Sequence, residues 1–559
     1  MRSENMKKLC VILLTVFAAQ AAEANVSLKN GNFFIGYTDL IYSGGFEPKV
    51  ERVYNSKTAH NGMFGHGWGN EYEVYLSVGP DGSVTVHEYG GGAENRFTPV
   101  GFKGDDVKAA VEKIAAAAKK VGGIGSNDQL DGYKKRLLSD ASFRNEEWEK
   151  YHKQGKLEAK TLADGTQLQS VQFNYQYITK VKSGYVRSFE SGKSEFFDAR
   201  GHLSKISDKN NNYINLTYSQ DGKLQKIVDN FNRKIFFTFN NKGKVEKIQG
   251  DDGKEATYKY NDEGELAYSK DVDGNVYNHK YSSDHFHNMT EIAYADKTAL
   301  QIAYYDRDKF QNVKSIKDRD GSMTSYEYSM DKSAGRTAVS VKVVSADKKL
   351  ISESRYEYYT KSKGDGEPWT YKMIAVIDGD KTETVYNESA GLPVSIKKGD
   401  EEVSFDYDAK GRVTKKVASN EVTELTYDKN AGKVSRVVRY PKSSPKQSVW
   451  SDFQYDDKGN LLTAKNSASK AVRLFYDTNG RIKSMVDQDK KRIDFKYNEH
   501  SKPVEIIYQS LGSITVTYGS NGDIKKVESS AGRKIALQVT SAFQNLLEII
   551  KPAGVNLSF

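Results

Sequence analysis

The chain has 559 residues and a formal net charge of +9, with 36 Tyr, 46 Gly, only 9 Pro and 37 % hydrophobic residues. Lys and Arg are interspersed with Asp and Glu rather than clustered, which argues against nucleic acid and leaves a general attraction to anionic surface polymers. The one cysteine, Cys10, lies in the N-terminal leader, so disulfides, Cys-ligated zinc and thiol catalysis are excluded for the rest of the chain.

Residues 1–24 have the order of a secretory signal peptide. Lys7 and Lys8 give the charged region, Leu9 to Ala19 the apolar region, and Ala22-Glu23-Ala24 a small-residue cleavage site. The apolar run is too short to span a bilayer, and no other stretch approaches that length. Cys10 stands at the start of the apolar region, the wrong end for a lipid anchor. The expected location is the periplasm, the outer cell surface or the medium, with no transmembrane segment in the mature chain.

Residues 25–103 are expected to form a β module. Gly31-Asn32-Phe33 leads into Tyr37-Thr38-Asp39-Leu40, followed by Arg52-Val53-Tyr54-Asn55-Ser56, by Phe64-Gly65-His66-Gly67-Trp68 and by Asp81-Gly82-Ser83. The glycine-rich stretch is not a phosphate loop, because an alternating strand comes after it (Glu71 to Leu76) where a phosphate site needs a helix N-terminus. Residues 104–160 break the β pattern. Val107, Val111, Ile114, Ala118 and Val121 lie on one helical face, and further helical stretches run near 130–138 and 145–151. This reads as a helical insertion, either a lid on the β body or a partner-binding arm.

From residue 161 to 559 the chain is organised by a beat. Tyr407-Asp408 with Gly411, Tyr455-Asp456 with Gly459, and Tyr476-Asp477 with Gly480 share one pattern, and weaker copies include Tyr218 with Gly222, Tyr260 with Gly264 and Tyr518 with Gly522. From Phe197 to Tyr281, and again from Tyr455 to Tyr518, every step is 21 residues. A fixed period of this kind signals a repeat architecture. Within a unit, Asp and Gly make a polar turn, a first strand comes next, and a second turn leads to a strand alternating as Ile493, Phe495 and Tyr497 do. Each unit is a β-hairpin, and about sixteen of them are expected from the beat. In the first strand the apolar positions sit three apart (Leu224 and Ile227, Ile482 and Met485), so either both faces touch protein or a bulge intervenes. The last unit is expected to close at Phe559.

These motifs resemble the YD repeats of the Rhs family, and residues 26–100 look like its N-terminal module. The resemblance implies an all-β fold, a YD-repeat β-hairpin spiral sheet forming a partial shell, with an N-terminal β module and a small helical insertion. It also implies a non-enzymatic exported scaffold that encloses or presents a cargo. The implied partners are a second shell-forming chain or a small toxin or effector. Two rival readings stay open. Rows of Tyr could stack on cell-surface glycans, or a buried carboxylate pair in the concavity could hydrolyse a substrate.

No cofactor is expected. GxSxG, HExxH, P-loop and complete calcium-loop patterns do not occur. Asp271-Val272-Asp273-Gly274 and Asp318-Arg319-Asp320-Gly321 fall where hairpin turns are due. His285 and His287 could share a strand face as half of a metal site, without a third ligand in view. Trp369 and Trp450, beside loop insertions at 363–369 and 440–445, are candidate ligand contacts.

Overall fold

The computed structural model describes residues 25–88, 93–102, 104–158, 160–170, 176–306, 311–362, 368–388, 391–509, 511–518, 524–530 and 532–550. The leader 1–24, the loop 363–367, Gly522 and the segment 551–559 lie outside the described residues. The architecture is one antiparallel sheet of 36 strands, running in chain order from Tyr75–Val78 to Ile524–Ser529, with few helices.

The tyrosine beat has a direct structural cause. In many units the Tyr that ends the second strand donates its hydroxyl to the carbonyl oxygen of the first residue of the first strand of the same hairpin. Tyr218 reaches Leu203 O, Tyr260 reaches Val245 O, Tyr476 reaches Leu461 O and Tyr518 reaches Pro503 O, at 2.7 to 2.9 Å. Tyr407 and Tyr455 do the same to Pro393 O and Val434 O, at 2.5 and 2.7 Å. Each of these hydroxyls thereby ties the end of a hairpin's second strand to the start of its first, closing the unit on itself.

The turn after the Tyr is equally specific. Asp477 Oδ1 accepts from Asn479 N and Arg481 N (both 3.0 Å), and Asp408 and Asp456 hold the corresponding amides in the same way. Gly480, with φ +76°, completes the turn in the left-handed region that non-glycine residues resist. The remaining described repeat glycines (Gly222, Gly264, Gly411 and Gly459) have φ between +71° and +84°.

A bulge sits at the same place in nearly every unit, just before the Tyr. Thr217 pairs with Lys226 but Tyr218 with Leu224, and Phe475 pairs with Ser484 but Tyr476 with Ile482. One first-strand residue is skipped, which answers the three-residue spacing: Leu224 and Ile227 are both buried on the same face.

Two domain boundaries differ from the sequence reading. Strands Tyr75–Val78, Val84–Glu88 and Ala93–Pro99 belong to the large sheet and not to the N-terminal module, because Phe97 to Pro99 pair with Leu168 to Ser170. The N-terminal module is therefore the smaller four-stranded sheet of Asn25–Ser27, Asn32–Ile41, Lys49–Asn55 and Trp68–Asn70. The second difference is at the other end, where the repeats stop at Ile524–Ser529 and a helix, Arg533–Ile550, succeeds them. Neither Gly nor Pro interrupts that stretch, and buried Ile535 and Val539 are four apart, a helical spacing. Between Ala93–Pro99 and Gln167–Ser170 the chain forms three helices, α1 (Gly104–Lys120), α2 (Asn127–Ser139) and α3 (Ala141–Lys153), with Val111, Ile114, Leu137, Trp148 and Tyr151 as their own small core. Val121, expected on the apolar face of α1, is exposed. The helix Arg533–Ile550 is α4.

The sheet coils. Tyr75 bridges His202, and Leu76 N donates to Gly201 O (2.8 Å), so its early strands close on themselves. Farther out, Lys209 Nζ donates to Gly459 O (2.7 Å), Asn460 Nδ2 to Asn210 Oδ1 (2.9 Å) and Asn212 Nδ2 to Asn479 O (3.0 Å). Turns some 250 residues apart thus stack on one another.

Glycine substitutions separate the turn from the closure. Gly222→Ala meets open space and bears only the φ strain (φ +82°), so it should cost about 1 kcal/mol. A Cβ on Gly201 would lie 1.9 Å from Leu76 O. Gly201→Ala should therefore disrupt the closure and reduce soluble yield sharply, as thermal melts and expression of the two variants will show.

Candidate functional site

The N-terminal four-stranded sheet lies against one face of the repeats, and the seam between them encloses a cluster of buried polar side chains. Strand Asn32–Ile41 alternates so that Phe33, Ile35, Tyr37 and Asp39 are all buried, and strand Lys49–Asn55 likewise buries Val50, Arg52 and Tyr54. Asp39 and Arg52 therefore occupy positions where the period of two calls for an apolar residue. Both are carried inside, with side chains 1 % and 0 % exposed.

They meet each other. Arg52 Nε donates to Asp39 Oδ2 (2.7 Å), Arg52 Nη2 to Ser269 Oγ (2.8 Å), and Tyr258 OH to Asp39 Oδ2 (2.8 Å). The guanidinium lies over Tyr37 and Trp68, each at 4.6 Å from the ring centroid. Burial raises the Asp39 carboxyl above its ordinary range, while Arg52 pulls it back down. Burial, reinforced by the positive Arg52, holds His279 well below the usual imidazole range, so this ring is neutral beside Trp68. Trp68 Nε1 donates to Tyr281 OH (2.9 Å), and Tyr54 OH accepts from Met289 N (2.9 Å). Two residues of the repeats, Tyr258 and Ser269, and two of the small sheet thus form one enclosed node. Its chemistry is that of a clamp, because no face of it meets solvent.

Rim contacts continue the clamp. Arg233, held by Asp229, donates to the carbonyls of Tyr42, Ser43 and Gly44 at 3.1, 3.1 and 2.8 Å. The backbone amides of Val245, Val272 and Val313 donate to Met63 O, Asp39 O and Gly31 O, at 2.8, 3.1 and 2.9 Å. Asp81 accepts from Arg96 (2.5 Å) and from Arg144 of α3 (3.3 Å), fastening the helices to the sheet.

Besides Asp39, burial also raises the carboxyls of Glu47 and Glu71. Burial pushes Glu71 up to about 7, against the lowering pull of Lys49 and Lys193, with Glu51 and Glu195 adding to the rise. Its neighbours are engaged in ion pairs: Glu195 accepts from buried Arg187 (3.0 Å) and from Lys193 (2.8 Å), and Glu51 pairs with Lys49. Arg187 also reaches Glu88 (2.6 Å).

The other sequence candidates fall into structural places. Tyr218, Tyr260, Tyr407, Tyr455, Tyr476 and Tyr518 are half-buried, with their hydroxyls given to backbone carbonyls. Asp271 Oδ1 accepts from Asp273 N (3.0 Å) and Asn275 N (2.9 Å), and Asp320 Oδ1 from Ser322 N (2.8 Å), all turn contacts. His287 has φ +55° and meets Glu265 at 2.8 Å, with the His66 ring 4.5 Å away; among the described residues no three His, Cys, Asp or Glu side chains converge for a metal. Trp369 is half-buried edge-on to Tyr371, and Trp450 is half-buried under Arg436 and Lys465. In the sequence, Arg52 and Asp39 stand inside motifs with nothing local to assign them to each other; their signal is a charge at an inward position of two neighbouring alternating strands.

Residues 23–97 match a domain of unknown function (DUF6531), and residues 441–559 match the family described as Teneurin YD-shell. No curated protein matches the sequence. Among solved structures, a TcdB2-TccC3-TEV crystal structure is 12 % identical over 93 % of this chain and 29 % of its own, with a TM-score of 0.43. A Photorhabdus luminescens Tc holotoxin pore carrying a TccC3 mutation is 10 % identical over 89 % of this chain and 27 % of its own, also at 0.43. This chain therefore spans less than a third of the length of either.

Removing one partner of the enclosed pair should cost far more than removing both. Arg52→Ala leaves a buried carboxylate uncompensated and should lower stability by about 3–5 kcal/mol, whereas Arg52→Met with Asp39→Leu should recover most of it. Chemical unfolding of the three proteins checks this. Glu71, ordinarily near 4.5 and here about 7, binds its proton more tightly folded than unfolded. Its contribution is complete below pH 4.5 and is lost as pH rises through 7. Glu71→Gln should flatten that part of the stability–pH curve.

Proposed function

This chain belongs to the Rhs/YD-repeat family, and from that premise we propose that it is an exported, non-enzymatic scaffold that encloses or presents a cargo or partner at or beyond the cell envelope. The observation that carries the reading is the seam: a separate N-terminal sheet is clamped into the face of one continuous repeat sheet by a charge pair closed to solvent. Such a node holds two bodies together and offers a substrate no approach. The partner in this reading is a second shell-forming chain or a small toxin or effector.

Glycan presentation is a second reading, and one feature favours it. Tyr277, Tyr294 and Tyr326, with Asn275, Asp296, Asp318 and Arg319, line an open pocket of ≈ 680 Å³. Aromatic rings beside carboxylates and an amide suit a sugar.

Export of the full chain should yield a protein that begins at Asn25, which N-terminal mass spectrometry of the periplasmic and extracellular fractions will read. A small reporter joined after Phe559 should resist added protease in the intact protein and become sensitive in Arg52→Ala, if the clamped sheet encloses it. A glycan array that binds the wild type but not Tyr294→Ala would instead favour presentation.

A further inference from the structure

Folding sorts charges that the sequence intersperses. From strand Leu203–Ser207 to strand Leu266–Lys270, one side of the sheet is buried in the core and the other carries only exposed or half-buried side chains. Six lysines stand on that outer side: Lys205, Lys226, Lys234, Lys247, Lys259 and Lys270. Two carboxylates share it, Glu246 and Glu255, the second paired with Lys247 at 3.4 Å. The other acids of this stretch sit in turns, as Asp221 and Asp252 do, or are buried with a partner, as Asp229 is with Arg233. The outer side of these strands therefore has a net charge of +4, six lysines less two glutamates.

The repeat places these cations in a file. Lys205, Lys226 and Lys247 hold the third position of three successive first strands, 21 residues apart. Asn215 faces Lys205 across the ladder, and Thr217, two residues on, faces Lys226. Phe236 in turn faces Lys226, and Thr238, again two residues on, faces Lys247. Each step thus crosses two strands and moves two residues along, a diagonal with about 12 Å between charges. Tyr268 holds the next position, and its cross-strand partner Lys259 sets its ammonium 5.2 Å from the ring centroid. Aromatic rings also flank the earlier members: Phe236 is 40 % exposed beside Lys226, and Lys205 Nζ lies 4.8 Å from the Tyr213 ring. The file stops one unit later, where Glu291 takes the third position and pairs with Lys280 at 2.7 Å.

Regularly spaced cations attract a polymer whose own anions recur along a line, because binding releases the counterions held by both. The rings narrow the choice of polymer. A pyranose stacks on Phe236 or Tyr268, whereas a phosphate chain gains nothing from them. We propose that the outer side of strands Leu203–Ser207 to Leu266–Lys270 binds a linear acidic polysaccharide, its carboxylates or sulfates on Lys205, Lys226, Lys247 and Lys259 and its sugar rings on Phe236 and Tyr268. This surface is opposite the clamped N-terminal sheet and shares no residue with the pocket of Tyr277, Tyr294 and Tyr326, so it stands apart from both readings of function given above.

Heparin oligosaccharides, inorganic polyphosphate and phosphatidylglycerol vesicles are the probes, each titrated against the full chain at two salt concentrations. Heparin should bind, and more weakly at the higher salt. Lys205→Gln, Lys226→Gln, Lys247→Gln and Lys259→Gln together should lower its affinity roughly tenfold or more. The exposed lysines 342, 398, 465 and 496, changed to Gln together, remove the same charge from other strands and should alter it by less than about twofold. Phe236→Ala should weaken heparin about threefold and leave polyphosphate unchanged. Failure to bind heparin, or equal losses in the two quadruple variants, overturns the proposal. Equal effects of Phe236→Ala on heparin and polyphosphate overturn it in favour of a bare charge surface, and binding to vesicles alone overturns it in favour of a lipid headgroup.

Discussion

A sheet one layer thick can leave only one of its faces to water. Every hairpin of this chain carries an apolar side, and the structure is arranged around the need to cover that side along a wall of 36 strands. Two elements from the chain's own ends do most of it. The N-terminal sheet covers the first part and α4 the last, so the repeats could not reach their observed burial without the segments that flank them.

The manner of attachment differs at the two ends. At the N-terminal sheet, an apolar interface is interrupted by Arg52 and Asp39. A pair of this kind is a poor source of net stability, because desolvation offsets much of the attraction. Its contribution is register. Arg52 must reach Ser269 and Asp39 must reach Tyr258, so a displacement by one residue along either strand would strand a charge among aromatic rings. Around α4 the described contacts are chiefly apolar, and a greasy contact tolerates small slips that the Arg52 node does not.

The repeat body is legible in the sequence because its cause is local. Turn closure by Asp477 and Gly480, and the hydroxyl bond of Tyr476 to Leu461 O, involve neighbouring residues, so they recur in print at the same interval. The bulge before each Tyr leaves its trace as a three-residue spacing, although the spacing alone does not choose between a bulge and two covered faces. Long-range decisions do not show in this way. Strands Tyr75–Val78 to Ala93–Pro99 look like part of the N-terminal module, yet they pair into the large sheet because Phe97 meets Ser170 across the helical insertion. The stretch that forms α4 reads as a final repeat only when its apolar content is allowed to outweigh its lack of turn residues. The node of Asp39, Arg52, Tyr258 and Ser269 joins parts of the chain more than two hundred residues apart, and no local pattern carries such a pairing.

The stacked turns, Lys209 on Gly459 and Asn210 on Asn460, have a consequence for how such a chain can change length. Individual hairpins are near-equivalent, and a linear array would accept a gained or lost copy anywhere. Here the loops of one revolution rest on those of the next, so an added copy between residues 212 and 456 would shift every later loop by one step and misalign asparagine with asparagine. Growth by duplication is thus barred within a revolution and permitted only beyond it, giving a modular chain a fixed circumference.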